Sequence, residues 1–93
     1  MIEKLIIVSG FDSTQMVKFA SNKIDVNNNE RILIFPESGL HYSNIIKLFE
    51  KEFKINFNKI AIVTHSDFVN AYIRRLITEN RINNENVEIY LLE

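Results

Sequence analysis

The sequence contains no cysteine, and this absence excludes two kinds of site at the outset. Without cysteine the chain has no disulfide framework and no zinc site built on thiolates. No stretch of the sequence approaches the roughly 20 consecutive apolar residues that a transmembrane helix needs. The opening residues 1–4 also lack the basic start and the length of a signal peptide, so we expect a cytoplasmic protein.

A strong charge of either sign is also missing, because the formal net charge is −1. This balance predicts no broad attraction to nucleic acid or to an anionic membrane. The arginines late in the chain have acidic neighbours, which favours a solvated surface over a basic patch: Arg74, Arg75 and Arg81 lie near Glu79, Glu85 and Glu88.

What the sequence does contain is enough apolar material for one core. Its 93 residues are 46% hydrophobic and 11% aromatic, which predicts a single ordered domain over residues 1–93.

Apolar runs alternate with helical periodicities along the whole chain. Strands are predicted at residues 4–9, 31–35, 60–64 and 87–92, the last with the alternation of an edge strand. Asp12 or Ser13 is predicted to cap the first helix and Ser66 the third, and Asn27 to Asn29 form a loop. The apolar sides of the three helices are Met16, Val17, Phe19, Ala20 and Ile24; Tyr42, Ile45, Ile46, Phe49 and Phe53; and Phe68, Val69, Tyr72, Ile73, Leu76 and Ile77. The order βαβαβαβ predicts a three-layer α/β fold with a four-stranded parallel sheet and helices on both faces.

Three polar segments follow the first three strands, where ligands bind in open α/β sheets. They are residues 9–14, 37–41 and 64–67, and they include both histidines of the chain, His41 and His65. Histidines beside hydroxyl-bearing turns are typical of a phosphate or metal site. Each segment is also compatible with an ordinary strand-to-helix turn, and His65 with a structural role.

The common catalytic motifs are absent. Ser66 and Asp67 flank His65, but adjacent residues do not point at one another with the geometry of a triad. The sequence has no GxSxG nucleophile elbow. After Gly10 there is no second glycine followed by Lys-Ser/Thr, so the phosphate-cradling P-loop is missing as well.

Two segments in combination resemble ABC-type ATPases, particularly the SMC-like and overcoming-lysogenization-defect group. The segment Ile32-Leu33-Ile34-Phe35-Pro36-Glu37-Ser38-Gly39-Leu40-His41 resembles their Walker B and D-loop region. The segment Ile60-Ala61-Ile62-Val63-Thr64-His65-Ser66-Asp67-Phe68-Val69 resembles their H-loop strand and the helix after it. Residues 71–93 are similar to the family's tail, so the resemblance covers roughly two thirds of the chain. It implies a sheet with the strand order 2-3-1-4, in which the two most apolar strands are central.

The sequence departs from this family at the hydrolytic positions. Ile34 stands where the family has the magnesium-side acid, Phe35 where it has the catalytic glutamate, and Tyr42 where a proline follows the histidine. Residues 5–10 match a degenerate P-loop strand, and residues 9–15 match the signature loop instead; the strand in front favours the former. Phosphoryl transfer depends on positioned charge, so we expect no ATP hydrolysis, no enzyme activity, no cofactor and no metal.

Histidine phosphatases are a second family with a similar segment. Residues 62–69 resemble their second histidine motif, but their first motif, Arg-His-Gly, is replaced here by Ser9-Gly10-Phe11. The residue that such enzymes phosphorylate is therefore missing.

The favoured hypothesis is a non-catalytic ATPase-like protein that binds and regulates or inhibits a partner. The resemblance implies that this partner is an ABC-type ATPase of a bacterial defence or repair complex, as a phage-borne regulator would target, or a second copy of the chain. The residues expected to bind the partner or a ligand are Glu37, Ser38, Gly39, Leu40, His41, Thr64, His65, Ser66 and Asp67. The alternatives are a nucleotide- or phosphate-binding module that uses Ser13, Thr14 and His65, and a small phosphatase centred on His65.

Overall fold

The computed structural model describes residues 3–39 and 41–92. Seven main elements follow one another: β1 (Lys4–Gly10), α1 (Ser13–Asn22), β2 (Glu30–Ile34), α2 (Tyr42–Lys54), β3 (Lys59–Val63), α3 (Asp67–Thr78) and β4 (Val87–Leu92). Short 3₁₀ turns precede β2 at Val26–Asn28 and β4 at Asn84–Asn86. None of the described helices has both the length and the apolar character needed to cross a bilayer.

The four strands form one parallel sheet in the order β2-β3-β1-β4. This arrangement confirms the predicted α/β fold and the strand order that the family resemblance implied. The two most apolar strands, β1 and β3, are central, and their residues from Leu5 to Val8 and from Ile60 to Val63 are all buried. Parallel strands covered on both faces need such continuous apolar runs.

Successive side chains of a strand point to opposite faces, and this divides the core into two clusters. Leu5 and Ile7 lie in the cluster beneath α2 and α3, whereas Ile6 and Val8 lie in the cluster beneath α1. The helices contribute their buried apolar positions to these clusters: Met16 and Ala20 from α1, Ile45 and Phe49 from α2, and Val69, Ile73 and Leu76 from α3.

The predicted helix caps are present. The Asp12 carboxylate accepts a hydrogen bond from the Gln15 amide at 3.1 Å, and the Ser66 hydroxyl accepts one from the Val69 amide at 3.3 Å. Each cap gives a partner to an amide that the first helical turn leaves without one.

The structure corrects the predicted boundaries at several places. Phe35 was predicted to end β2, but that strand ends at Ile34, because Phe35 turns the chain with a φ of 47°. Ile24 was predicted on the apolar side of α1; the helix ends at Asn22, although Ile24 still packs against the α1-side cluster. The predicted loop at Asn27–Asn29 contains part of a 3₁₀ turn.

An ion pair joins the first residue of β1 to the edge strand β4. Lys4 and Glu88 are in direct contact, and Glu88 also accepts a hydrogen bond from the Tyr90 hydroxyl. The hydrogen bond from Lys4, and then that from Tyr90, lower the pKa of Glu88 below its ordinary value of 4.5. The hydrogen bond to Glu88 in turn raises the pKa of Lys4 above 10.5.

These pKa shifts predict that the Lys4–Glu88 pair stabilises the fold only in the pH range in which Glu88 is ionised and Lys4 is protonated. A lowered carboxylate pKa contributes stability above about pH 4.5 that is lost as the pH falls through the folded-state pKa. The raised lysine pKa contributes stability below 10.5 that is lost as the pH rises through the folded-state pKa. We expect Glu88→Gln to flatten both limbs of the plot of melting temperature against pH.

Glu85→Gln, a substitution at an exposed site near β4, is the matched control. Equal profiles of melting temperature against pH for the two variants would contradict the prediction.

Candidate functional site at the carboxyl edge of the sheet

The three polar segments meet at the carboxyl edge of the sheet, as their positions after β1, β2 and β3 predicted. Two of the contacts that join them involve Glu37, which lies in the turn after β2. Its carboxylate accepts hydrogen bonds from the Thr64 hydroxyl at 2.8 Å and from the His65 amide at 3.1 Å. Thr64 is fully buried, and its hydroxyl also accepts a hydrogen bond from the Ser66 amide at 2.9 Å. Glu37 therefore connects the turn after β2 to the start of the segment before α3.

The backbone between β2 and Glu37 is bent sharply at Phe35. The Phe35 amide still donates to the Val63 carbonyl at 2.8 Å, so this residue keeps one contact with β3 while its positive φ turns the chain away. A positive φ is uncommon for a residue with a bulky side chain and costs about 1–3 kcal/mol. The turn places the Phe35 ring parallel to the His65 ring, with centroids 4.8 Å apart and an interplanar angle of 8°.

His65 contacts residues from three different segments. One ring nitrogen, Nδ1, lies 3.0 Å from the Gly10 carbonyl oxygen, and the other, Nε2, lies 2.9 Å from the Ser13 hydroxyl. With Phe35 against its face, the imidazole is held in position although His65 is an exposed residue.

Gly10 is required at the end of β1 because the backbone of β4 lies against it. A Cβ atom at this position would lie 2.3 Å from the Leu92 carbonyl oxygen, far inside van der Waals contact. The glycine therefore lets β1 and β4 pair to their ends and places the Gly10 carbonyl beside His65.

His41 belongs to a different local environment. It caps α2, where its Nδ1 lies 3.3 Å from the Ser43 amide and 3.2 Å from the Ser43 hydroxyl. Its ring lies beside that of Tyr42, at a centroid distance of 5.9 Å. The histidines that were predicted to share a phosphate or metal site thus have different neighbours. Within residues 3–39 and 41–92, no three His, Asp or Glu side chains are grouped so that they could hold a metal ion.

The remaining predicted residues are at the same edge but do not all belong to the His65 cluster. Ser38 and Gly39 form an exposed turn, in which Gly39 has a φ of 71°. Ser66 caps α3 and Asp67 is the exposed first residue of that helix. Leu40 lies outside the described residues.

Sequence reasoning missed the pairing of Ser13 with His65. It considered Ser66 and Asp67 as neighbours of the histidine, whereas the hydroxyl that meets the imidazole comes from a residue 52 positions away. The available signal was that both residues follow strands of one parallel sheet. That signal places them at the same edge but does not select one hydroxyl among several.

Aromatic side chains are exposed at this edge. Phe11, between β1 and α1, is 87% exposed, and Tyr42, the first residue of α2, is 60% exposed. The Tyr42 ring stacks on Phe68 of α3 at a centroid distance of 4.3 Å. Tyr42 is thereby fixed in orientation while much of its surface faces solvent.

A pocket of about 470 Å³ lies at the opposite, amino edge of the sheet. Its walls come from the start of β1, the ends of α2 and α3 and the turn before β4, including Leu5, Phe53, Tyr72 and Ile82. Burial raises the pKa of the Tyr72 hydroxyl. Ligands of open α/β sheets bind at the carboxyl ends of the strands, so we assign the candidate site to the His65 cluster and not to this pocket.

Comparisons of the chain with protein-family models, with curated proteins and with solved structures give no match. The likeness to ABC-type ATPases therefore rests on the sequence motifs alone. The structure independently establishes the fold.

The link between Glu37 and Thr64 predicts a measurable loss of stability when it is removed. Thr64→Val keeps the shape of the buried side chain but deletes the hydroxyl that binds Glu37 and the Ser66 amide. We expect the free energy of unfolding to fall by about 1.5–3 kcal/mol, because one of the lost hydrogen bonds is made to a carboxylate. Urea denaturation measures this change.

The matched control is Thr78→Val. The exposed Thr78 hydroxyl donates only to the Arg74 carbonyl of its own helix, at 3.0 Å. Its removal should change the free energy by no more than about 0.5 kcal/mol. If both valine variants lost the same stability, the Glu37–Thr64 link would make no special contribution.

Proposed function

We propose that the protein acts by binding an ABC-type ATPase core through the carboxyl edge of its sheet, regulating or inhibiting that ATPase without hydrolysing ATP. The observation that carries this proposal is the exposure of two aromatic side chains, Phe11 and Tyr42, at that edge. Exposed aromatic residues are the commonest energetic anchors of protein interfaces, where they enter pockets of the partner.

Polar residues at the same edge supply the rest of such an interface. Ser38, His41, His65 and Asp67 are all exposed and lie in the segments that follow β2 and β3. An apolar centre with a polar, solvent-accessible rim is the usual anatomy of a specific protein interface. The edge combines hydroxyl, imidazole and carboxylate groups, so it offers both donors and acceptors to a partner.

The proposal excludes hydrolysis because the positions that resemble the hydrolytic site carry no acid. Ile34, in place of the magnesium-side acid, is 47% exposed, and Phe35, in place of the catalytic glutamate, stacks on His65. The nearby carboxylate of Glu37 already accepts two hydrogen bonds from the protein. Phosphoryl transfer needs charge and positioned acids at these points.

The family resemblance selects the partner. The segments like the D-loop (residues 37–41) and the H-loop (residues 64–67) are those through which such ATPases meet across a dimer. A chain that keeps both segments but lacks the acids is suited to take the place of one ATPase protomer in that contact. A phage-borne regulator of a bacterial defence or repair complex, acting in the cytoplasm, is one instance of this behaviour.

The binding proposal predicts that the exposed aromatic residues are needed for complex formation. Purified ATPase cores of an SMC-like protein and of an overcoming-lysogenization-defect-type protein serve as probes in biolayer interferometry, with their ATP hydrolysis rate as a second readout. We expect the wild-type chain to bind at least one core and to change its hydrolysis rate. Phe11→Ser and Tyr42→Ser should each weaken binding by about 10-fold or more, which corresponds to the loss of one interface anchor.

Val26→Ser is the matched control, because Val26 is 69% exposed in the turn that precedes β2, at the opposite edge. It should bind the core as the wild type does. Equal weakening by all three variants, or no binding of either core by the wild type, would contradict the proposal. Self-association that Phe11→Ser and Tyr42→Ser abolish, without binding to a core, would show that the edge joins copies of this protein instead.

A second candidate function is the binding of a phosphate-bearing ligand such as a nucleotide. It is favoured by the Ser13 hydroxyl and the His65 imidazole, which lie 2.9 Å apart beside the first turn of α1. Hydroxyl and imidazole groups at a helix N-terminus, where backbone amides are free, suit a phosphate group.

Calorimetric titration with ATP, ADP and inorganic phosphate, with and without Mg²⁺, tests this second function. Binding should weaken in Ser13→Ala but not in Ser21→Ala, which removes an exposed hydroxyl from the last turn of the same helix. An absence of heat and of any thermal shift at millimolar ligand would eliminate the candidate.

A further inference from the structure

We propose that Ser13 is a nucleophilic serine, activated by His65, that accepts the acyl group of a small activated ester. This inference goes beyond partner binding and does not depend on it. Its basis is the hydrogen-bonded chain Gly10 carbonyl–His65 imidazole–Ser13 hydroxyl, with distances of 3.0 Å and 2.9 Å. A nucleophile, a base within hydrogen-bond reach and a third group that orients the base are the parts of an activated-serine site.

The Gly10 carbonyl determines which nitrogen of His65 carries the proton. A carbonyl oxygen only accepts hydrogen bonds, so Nδ1 must be the donor in this contact. In the neutral imidazole Nε2 then has a free lone pair, and it accepts the proton of the Ser13 hydroxyl. The tautomer is therefore the one that a general base for Ser13 requires.

The imidazole is also held rigidly enough to act on one hydroxyl. The Phe35 ring stacks on it with an interplanar angle of 8°, and Glu37 accepts the His65 backbone amide at 3.1 Å. The orienting carbonyl is itself fixed, because Gly10 is the last residue of β1 and pairs with Leu92 of β4. These contacts remove the ring rotation that would move Nε2 away from the hydroxyl.

The same chain contains a second serine–histidine pair that lacks these features. Ser43 and His41 are two residues apart, and the ring nitrogen of the contact is Nδ1, which also accepts the Ser43 amide as a helix cap. Among the residues that the structure describes, no carbonyl oxygen pairs with the other nitrogen of His41. This pair is a natural control for an ordinary exposed serine beside an imidazole.

The reaction is an acyl transfer. The Ser13 oxygen attacks the carbonyl carbon of an aryl ester while His65 Nε2 takes the hydroxyl proton, which gives a tetrahedral oxyanion and an imidazolium. The bond between the carbonyl carbon and the aryl oxygen then breaks, and the imidazolium returns its proton to the leaving aryl oxygen. The products are an ester on Ser13 and a phenol.

The first turn of α1 offers donors near the developing oxyanion. Helical bonding in α1 starts with the Met16 amide, which donates to the Asp12 carbonyl, so the amides of Ser13 and Thr14 precede the first intrahelical bond. Backbone amides at a helix N-terminus stabilise a negative charge. Because Ser13 and His65 are both exposed, a small ester reaches them without a deep cleft.

The first test uses 4-nitrophenyl acetate and the full chain. We expect release of 4-nitrophenolate and, by peptide mapping of trapped protein, one acetyl group on Ser13. Ser13→Ala should abolish both signals, and His65→Gln should slow the release by about 100-fold or more, as loss of a general base does. The control Ser43→Ala should behave as the wild type.

A second test uses the absence of cysteine from the natural chain. Ser13→Cys and Ser43→Cys each introduce a single thiol beside one of the two histidines. At neutral pH we expect iodoacetamide to alkylate Cys at position 13 at least about 10-fold faster than Cys at position 43. The lone pair of His65 Nε2 is free to take the thiol proton at position 13, whereas Nδ1 of His41 already accepts the backbone amide of residue 43. Adding His65→Gln should remove the difference, while thermal melts establish that each variant is folded.

Three results would overturn the inference. The first is an unchanged release rate in Ser13→Ala, which would place the reaction at another group. The second is an unchanged rate in folded His65→Gln. The third is an equal alkylation rate in the two single-cysteine variants, which would show that His65 does not activate the side chain at position 13.

Discussion

The parallel pairing of β1 with β3 at the centre of the sheet is the interaction on which the candidate site depends. The register aligns Val8 with Val63, and the Thr64 amide continues the ladder to the Val8 carbonyl at 3.0 Å. The strands β1 and β3 therefore end side by side at the same edge of the sheet, and the Gly10 carbonyl oxygen lies within hydrogen-bond distance of the His65 ring. Helices cover both faces of these strands, so their pairing is fixed by burial as well as by hydrogen bonds.

Two groups of contacts around His65 have different consequences. On one side Glu37 binds the Thr64 hydroxyl and the His65 amide, which fixes the backbone and stabilises the fold. On the other side the His65 ring forms a hydrogen bond with the Ser13 hydroxyl, and this contact is exposed to solvent. The second group depends on the first, because the backbone that Glu37 fixes carries the His65 ring.

The fold was largely predictable, because each strand and helix carries its own local pattern. The continuous apolar runs of β1 and β3 indicated central strands, and Asp12 and Ser66 marked helix starts. The bend at Phe35 was not predictable, since an aromatic residue with a positive φ contradicts the local preference and is held by tertiary contacts with Val63 and His65. The strand order came from the family resemblance, which periodicity alone does not supply.

The sequence by itself determined which residues are apolar, where the chain turns, and that the polar segments after β1, β2 and β3 share one edge. It also fixed the absence of acids at positions 34 and 35 and of a P-loop lysine. Only the tertiary structure decided that Ser13 pairs with His65 and that Glu37 pairs with Thr64. The physical reason is that these contacts join residues 52 and 27 positions apart, so the order and register of the strands select them and no local pattern encodes them.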